Sequence, residues 1–403
     1  MSDIVSVSLI LISFIIIIGF LSSYQFGITG FPGILFLILL GFLFGPVFNF
    51  VKPEDVVVFA PYLTVLATIL ILFEGGLAMN IQKTFRETPR AMLLTVLVFL
   101  FSTVAVAMFM MLIGFDLLYG ALLGVMISGN SAAVIIPIVR RIQVSDEAVA
   151  VVSLESTLNN IFNIVSFLAI VGIITAGHLD LLVVAQDIAA RFSVGAVIGL
   201  IVGVFWLNVL LKIKRETFAY MLTIAVLLLA YYASEYLGGN GALSSLLFGI
   251  VLGNEKEIFR IARRDVEDVV VDESMVRFES ELAFLIRTFF FVYIGLTINV
   301  TNVLSIVYGV IISILLLLTR ILATFFSTIG SPLQYERHII AMVLSRGLSE
   351  AVLSVLLLNY GLPYSTLFQN IAFIVIIATN IICTVGIYLL TKRGKYTGLT
   401  KEF

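Results

Sequence analysis

Charge is what this 403-residue chain has least of. Asp, Glu, Lys and Arg make up 12% of it, about half the roughly 25% usual for soluble domains. No polar block is long enough to fold as a separate soluble domain, and 61% of the residues are hydrophobic, with a mean hydropathy of +1.17. Such a chain cannot be a water-soluble core wrapped in a polar shell. A single cysteine, Cys383, excludes an intrachain disulfide and a cysteine-based metal site. With 23 basic against 25 acidic residues there is no basic surplus to attract nucleic acid. The two histidines, His178 and His338, fall near opposite membrane faces. No glycine-rich phosphate loop and no triad accompanies them, so the chain reads as a non-enzyme with no cofactor. The first apolar run has neither a basic leader nor a small-residue cleavage site, and reads as a retained helix.

Apolar runs, by contrast, recur from end to end. With about 20 residues per crossing as the ruler, spans fall near 4–23, 31–50, 57–79, 91–113, 117–141, 147–176, 189–211, 217–237, 240–253, 276–298, 303–328, 336–359 and 366–391. The fold expected is an all-α polytopic membrane protein of thirteen spans, a single membrane domain over 1–403. Eighteen of the 23 basic residues lie in alternate connections and the tail, against only Lys52 and Arg191 on the other side. That asymmetry places the N-terminus outside and the C-terminus in the cytoplasm, and the cell membrane is the expected location. GFLFG at 41–45 matches GIVLG at 249–253, and GLAMNI at 76–81 matches GLTINV at 295–300. Small residues favour close helix packing anywhere in a bilayer, but two matches in order suggest an internal repeat. The chain then divides into a first repeat at 1–176, a linker span at 189–211, a second, inverted repeat at 217–391 and a cytoplasmic tail at 392–403.

Ionisable groups at membrane depth are costly and are candidate functional residues. Here they are Glu74, Glu155, Arg287, Arg320, Arg346 and Glu350, with Glu281 nearer a helix end. Arg320 sits close enough to the inner boundary to snorkel and is expected to anchor its span. Glu155 and Arg346 are each near mid-span, and a buried bridge between spans 6 and 12 is the simplest neutralisation. Glu350, four residues after Arg346, shares its helix face and can share or compete for the arginine. In span 5, Gly129, Asn130, Ser131 and Pro137 interrupt regular hydrogen bonding. Either the proline only kinks the helix, or the stretch unwinds and frees carbonyls for a cation. In span 6, Ser156, Asn159 and Asn163 recur at helical spacing with Asn160 beside them, more polarity than helix association alone requires.

Five segments resemble signatures of the monovalent cation/proton antiporter superfamily, the sodium/proton exchangers, in its NhaP-like branch. They are LFEGGL at 72–77, GNSAAVIIPIVRRI at 129–142, LESTLNN at 154–160, RTFFFVYIGL at 287–296 and SRGLSEAVLS at 345–354. The resemblance implies a dimerising scaffold bundle and a core bundle with broken, crossed helices 5 and 12, working by alternating access. It places Glu155 and Arg346 at a structural ion bridge and Asn159, Ser156 and Arg287 at family positions of the site and of helix 10. Glu74 falls at a third-helix acid near the inner funnel. The departures are chemical. Asn160 stands where the family keeps its proton-carrying aspartate, and Ser131 where many members have a second one, with Ala132 in place of a proline. Glu350 stands where a small or apolar residue is usual. An amide can coordinate a cation through its carbonyl oxygen but cannot titrate.

The function expected is exchange of a monovalent cation (Na+, K+ or Li+) for protons, with ion ligands drawn from Asn130, Ser131, Ser156, Asn159 and Asn160. Coupling would then have to pass to another acid, Glu155, Glu74 or Glu350, with Arg287 a further candidate for the proton or funnel pathway. The alternatives are a proton-uncoupled uniporter or channel-like protein, favoured by the amide-rich site, and a transport-inactive variant or sensor. Partners expected are the cation, protons, the lipid bilayer and a second copy of the chain. Since the sequence ends at Phe403, a regulatory domain would be a separate subunit.

Overall fold

The computed structural model describes residues 2–29, 31–51, 59–79, 89–131, 134–135, 138–139, 142, 144–176, 181–213, 216, 218–261, 273–299 and 302–391. Every regular element among them is helical. In chain order they are α1 (Ser2–Thr29), α2 (Gly33–Phe42, running on into a π-helical turn, Leu43–Val47), α3 (Ala60–Ala78), α4 (Pro89–Leu112), α5 (Leu117–Ile127), α6 (Asp146–Ala176), α7 (Leu181–Ile213) and α8 (Ala219–Tyr236). They continue with α9 (Gly241–Gly253), the short α10 (Glu255–Ile261), α11 (Glu273–Thr297), α12 (Val303–Thr328), α13 (Arg337–Met342), α14 (Leu348–Asn359) and α15 (Ser365–Leu390). Among the described residues, 8 helices are long and apolar enough to cross a bilayer, and shorter apolar helices at 12–25, 33–47, 117–127, 241–253 and 348–359 fall at the remaining expected spans. The chain is a multi-pass membrane protein. Its lipid-compatible faces keep side chains such as Leu200, Phe205 and Leu229 exposed. Pro137, His178, Lys52, the Arg140–Arg141 pair and the tail 392–403 lie outside the described residues.

The chain forms two compact units, one of Met1–Thr64, Pro89–Phe167 and Leu285–Phe403, the other of Val65–Thr88 and Leu168–Phe284. In the first, α12 packs against both α4 and α15, and α5 against α4, α14 and α15. Gly120 and Gly124 on α5 let the backbone of α4 approach, since a Cβ at either would crowd Ala107 or Thr103 backbone atoms. The second unit is built on α3, α7, α8 and α9 around Phe73, Trp206, Leu207, Leu210, Phe248 and Leu252. The Trp206 indole N–H is satisfied by Thr223 Oγ1 at 3.0 Å, as a buried indole requires.

The self-similar glycine motifs make the same kind of crossing, one in each unit. In the first, Gly41 on α2 lies against Val292 and Gly295 on α11, while Gly295 lies against Ile38, Gly41 and Phe42 and Gly45 against Leu296. In the second, Gly249 on α9 lies against Phe73, Gly76 and Leu77 on α3, Gly76 against Leu246, Gly249 and Ile250, and Gly253 against Leu77. Each residue of one crossing has its counterpart in the other at the same distance along the chain from the matched glycine. A Cβ at Gly41, Gly76, Gly249 or Gly295 would overlap a backbone atom of the facing helix, so contact this close requires glycine on both sides.

Candidate functional site

Two helices of the first unit break at mid-course, and the breaks touch. α5 ends at Ile127, residues 128–131 are irregular and helical backbone resumes by Val134. Ser131 restarts it by accepting from Val134 N at 3.1 Å and Ile135 N at 3.0 Å. α13 ends at Met342 and α14 starts at Leu348, leaving 343–347 irregular. Such gaps expose peptide groups that helices would otherwise satisfy, and here each break serves the other. Ser131 N donates to Ser345 O at 2.7 Å. Ser345 N donates to Asn130 Oδ1 at 3.1 Å, and Asn130 Nδ2 reaches Val343 O at 3.4 Å. A Cβ at Gly347 would meet Ser131 Oγ at 2.5 Å, so the two chains cross at contact distance.

Each break is also tied to a continuous helix by an asparagine. From α6, Asn159 Nδ2 donates to Ser128 O at 3.2 Å. From α15, Asn380 Nδ2 donates to Arg346 O at 2.7 Å. Ser345 Oγ donates to Asn380 Oδ1 at 2.7 Å and Arg346 N to Thr379 Oγ1 at 3.3 Å. Asn163 does the equivalent work at the first break. With its amide oriented by the network, Nδ2 reaches Asn159 O at 3.1 Å and Ser128 Oγ at 2.8 Å, and Oδ1 accepts from Gly129 N at 2.5 Å.

The buried ion pair joins α6 to α12. Arg320 Nη1 and Nη2 each contact one Glu155 carboxylate oxygen at 3.1 Å, and both side chains are fully buried. Arg320 Nε donates to Ile340 O at 3.2 Å. Asn130 Nδ2 at 3.1 Å and Asn159 Nδ2 at 3.4 Å complete the carboxylate's shell. This corrects two expectations. The bridge runs from Glu155 to Arg320 and not to Arg346, and Arg320 is a buried, bidentate partner and not an interfacial anchor. The reason is geometric: Arg346 lies within the second break, where its Nη1 turns to the freed carbonyl of Gly129, while Arg320 faces α6 with its planar fork matched to a carboxylate.

Beyond that pair lies a second polar cluster. Glu350 is fully buried in the first turn of α14, where Oε2 accepts from Gly347 N at 2.6 Å and from Ser349 Oγ at 3.3 Å. Acceptance from the residue before the helix is the back-bonding half of a capping box. Ser349 Oγ also contacts Asn160 Oδ1 at 3.0 Å, which brings Glu350 and the half-buried Asn160 to one hydroxyl. A Cβ at Gly129 would overlap both Glu350 Oε1 and the Asn163 side-chain amide, so the carboxylate lies directly on the unwound stretch of span 5. Glu350 Oε1, Asn159 Oδ1 and Arg346 Nε and Nη2 are buried without a hydrogen-bond partner.

Of the other expected ligands, Ser131 contributes backbone and bulk to the crossing. Ser156 Oγ turns back to Ser153 O of its own helix at 3.1 Å. Glu74 is half-buried on α3 in the second unit, and Arg287 is half-buried on α11 in the first. Sequence reasoning missed Ser349, Thr379 and Asn380. A signal was present, since the expected inverted repeat would pair span 6 with span 13, and the Asn of IIATNIICT at 376–384 (within span 13) would then answer to the asparagines of span 6.

Crossed breaks and fully buried polar side chains, set in an apolar helical unit, define a multi-pass transporter class in which irregular backbone lines a buried site. The profile of the transmembrane sodium/hydrogen exchanger family matches residues 10–393, and the chain belongs to that family, one of transporters. It is 27% identical over 327 residues to the K(+)/H(+) antiporter NhaP2 of Shewanella sp. (strain MR-4), an alignment covering 79% of this chain and 54% of that protein. The chain thus spans about half the length of such relatives. With the Na(+)/H(+) antiporter 1 of Methanocaldococcus jannaschii it shares 24% identity over 343 residues, 80% of this chain and 77% of that one. The structure of the sodium proton antiporter MjNhaP1 from the same organism at pH 8 superposes with a TM-score of 0.77 at 22% identity, covering 96% of each chain. That likeness establishes the fold.

Proposed function

We propose that this protein exchanges a monovalent cation, sodium or potassium, for protons by alternating access. The observation that carries the reading is the crossing of two helix breaks beside buried acceptors, Asn159 Oδ1 and Glu350 Oε1, that no protein donor satisfies. A desolvated cation needs several oxygen ligands it can enter and leave, and unpaired acceptors beside an unwound backbone supply them. Names of the similar proteins, one potassium/proton and one sodium/proton antiporter, support the same class and leave the choice of ion open. In this reading Asn159 and Asn160 are the neutral ligands, Asn130 and Ser131 hold the crossing together, and Glu74 and Arg287 remain candidates for the proton or funnel route. Dimeric assembly rests on the family resemblance and a cytoplasmic C-terminus on the basic-residue asymmetry, with the cell membrane the expected location.

A second reading, cation uniport without protons, is favoured by Asn160 and Ser131, neither of which titrates. Reconstituted vesicles separate the two. An imposed pH gradient should drive sodium, potassium or lithium movement, and an opposite cation gradient should move protons. Flux that follows the membrane potential and ignores the pH gradient would replace exchange by uniport, and no flux of any of the three cations would remove both.

A further inference from the structure

We propose that Glu350 is the carboxyl group that alternately holds the transported cation and the proton, a duty placed on the twelfth span here because the sixth-span position, Asn160, cannot titrate. The inference rests on the exchange reading above and names the residue that performs it.

Among the described residues of the first unit, Glu155 and Glu350 are the two buried acids, and their surroundings differ in kind. Both oxygens of Glu155 are occupied by the Arg320 fork and further held by Asn130 and Asn159. Releasing that carboxylate to a cation or a proton would strand a buried guanidinium, which is strongly unfavourable. Glu350 has no arginine fork. The neutral Gly347 N–H and Ser349 hydroxyl donate to Oε2, while Oε1 is without a hydrogen-bond partner and faces Gly129 in the first break. The charged group acting on it from its own span is Arg346, which in turn feels Arg320 and Glu155. Arg346 Nη1 is held by Gly129 O, and its Nε and Nη2 make no hydrogen bond to the carboxylate.

The site therefore has one oxygen fixed and one open. The fixed oxygen positions the carboxyl group at the start of α14. The open oxygen can take a proton from water or coordinate a cation, and occupation by one excludes the other, which is what coupled exchange requires. Asn160 and Asn159 remain as amide ligands beside it, and Ser349 links Asn160 to the carboxylate. Exchange needs one titrating acid in contact with the cation, and nothing requires that acid to stand on the sixth span.

The test uses full-length protein in vesicles. Wild type should exchange cation for proton, Glu350→Gln should lose proton-coupled flux to the protein-free background, and Glu350→Gln/Asn160→Asp should recover it. Size-exclusion profile and thermal unfolding check that the variants fold. A readout independent of transport is covalent labelling of wild type by dicyclohexylcarbodiimide, which attacks protonated carboxyl groups in apolar surroundings. Glu350 should be labelled, and sodium or potassium at fixed pH should protect it. If wild type exchanges and folded Glu350→Gln exchanges equally, the inference falls while the exchange reading stands. If wild type shows no exchange with any cation, the exchange reading falls, and unprotected labelling of Glu350 then removes its cation-binding role as well. Should Glu350→Gln fail to fold, protection of the wild-type label decides.

Discussion

Glu155 holds more donors than any other buried carboxylate of the first unit: both Arg320 nitrogens, Asn130 and Asn159. Such a pair adds little over apolar side chains of similar size, but losing one member leaves the other charged and buried. Glu155→Gln and Arg320→Gln should each lower stability by about 3–5 kcal/mol, and Glu155→Leu/Arg320→Met should lose much less than the sum. Thermal unfolding in detergent checks this, and additive losses would show that the two side chains act independently. The identity of the partner was not legible in the sequence. Depth along a span can be counted from the ends, which placed Glu155 and Arg346 at mid-membrane and Arg320 near a face. Which helix lies beside which is a lateral question, and an arginine in a helix break can turn its fork to a backbone carbonyl, as Arg346 does at Gly129.

At the scale of elements, the break in span 5 could be read from residues, because Gly129–Asn130–Ser131 interrupts an apolar run with groups that favour irregular backbone, whereas the break in span 12 was expected only from the family resemblance. The asparagine ties could be read on one side only. Three asparagines in eleven residues of span 6 stand out, whereas the lone Asn380 in span 13 resembles any polar contact between membrane helices. The glycine motifs were visible as a repeat, but not that α2 meets α11 and α9 meets α3. Those crossings give a paired prediction. Gly41→Ala and Gly249→Ala each drive a methyl group into facing backbone and should each cost about 1–3 kcal/mol by overpacking. Gly75→Ala, where nothing lies within 4 Å, should be neutral or slightly stabilising. Unfolding midpoints of the three variants compare them directly, and a Gly75→Ala loss as large as the others would remove close packing as the cause.

The whole molecule was the most legible scale, since apolar length depends on the bilayer and not on side-chain detail. The chemistry at its centre makes a prediction of its own. If cation and proton compete for one carboxyl group, the apparent KM for the cation must rise as pH falls, approaching roughly tenfold per unit where the proton dominates. A KM that stays flat from alkaline to acid pH would contradict competition. The buried inventory, two glutamates and two arginines among the described residues of the first unit, also has an electrical meaning. With Glu155 matched by Arg320 and Glu350 by Arg346, the empty ionised site is neutral, and it carries the same single positive charge whether a cation or a proton is bound. The two loaded forms would then cross the bilayer at equal electrical cost. Exchange should run one for one and move no net charge per cycle, so the cation and proton gradients at which net flux reverses should be the same with the voltage clamped at zero or at a negative value, and the driving force would be concentration alone.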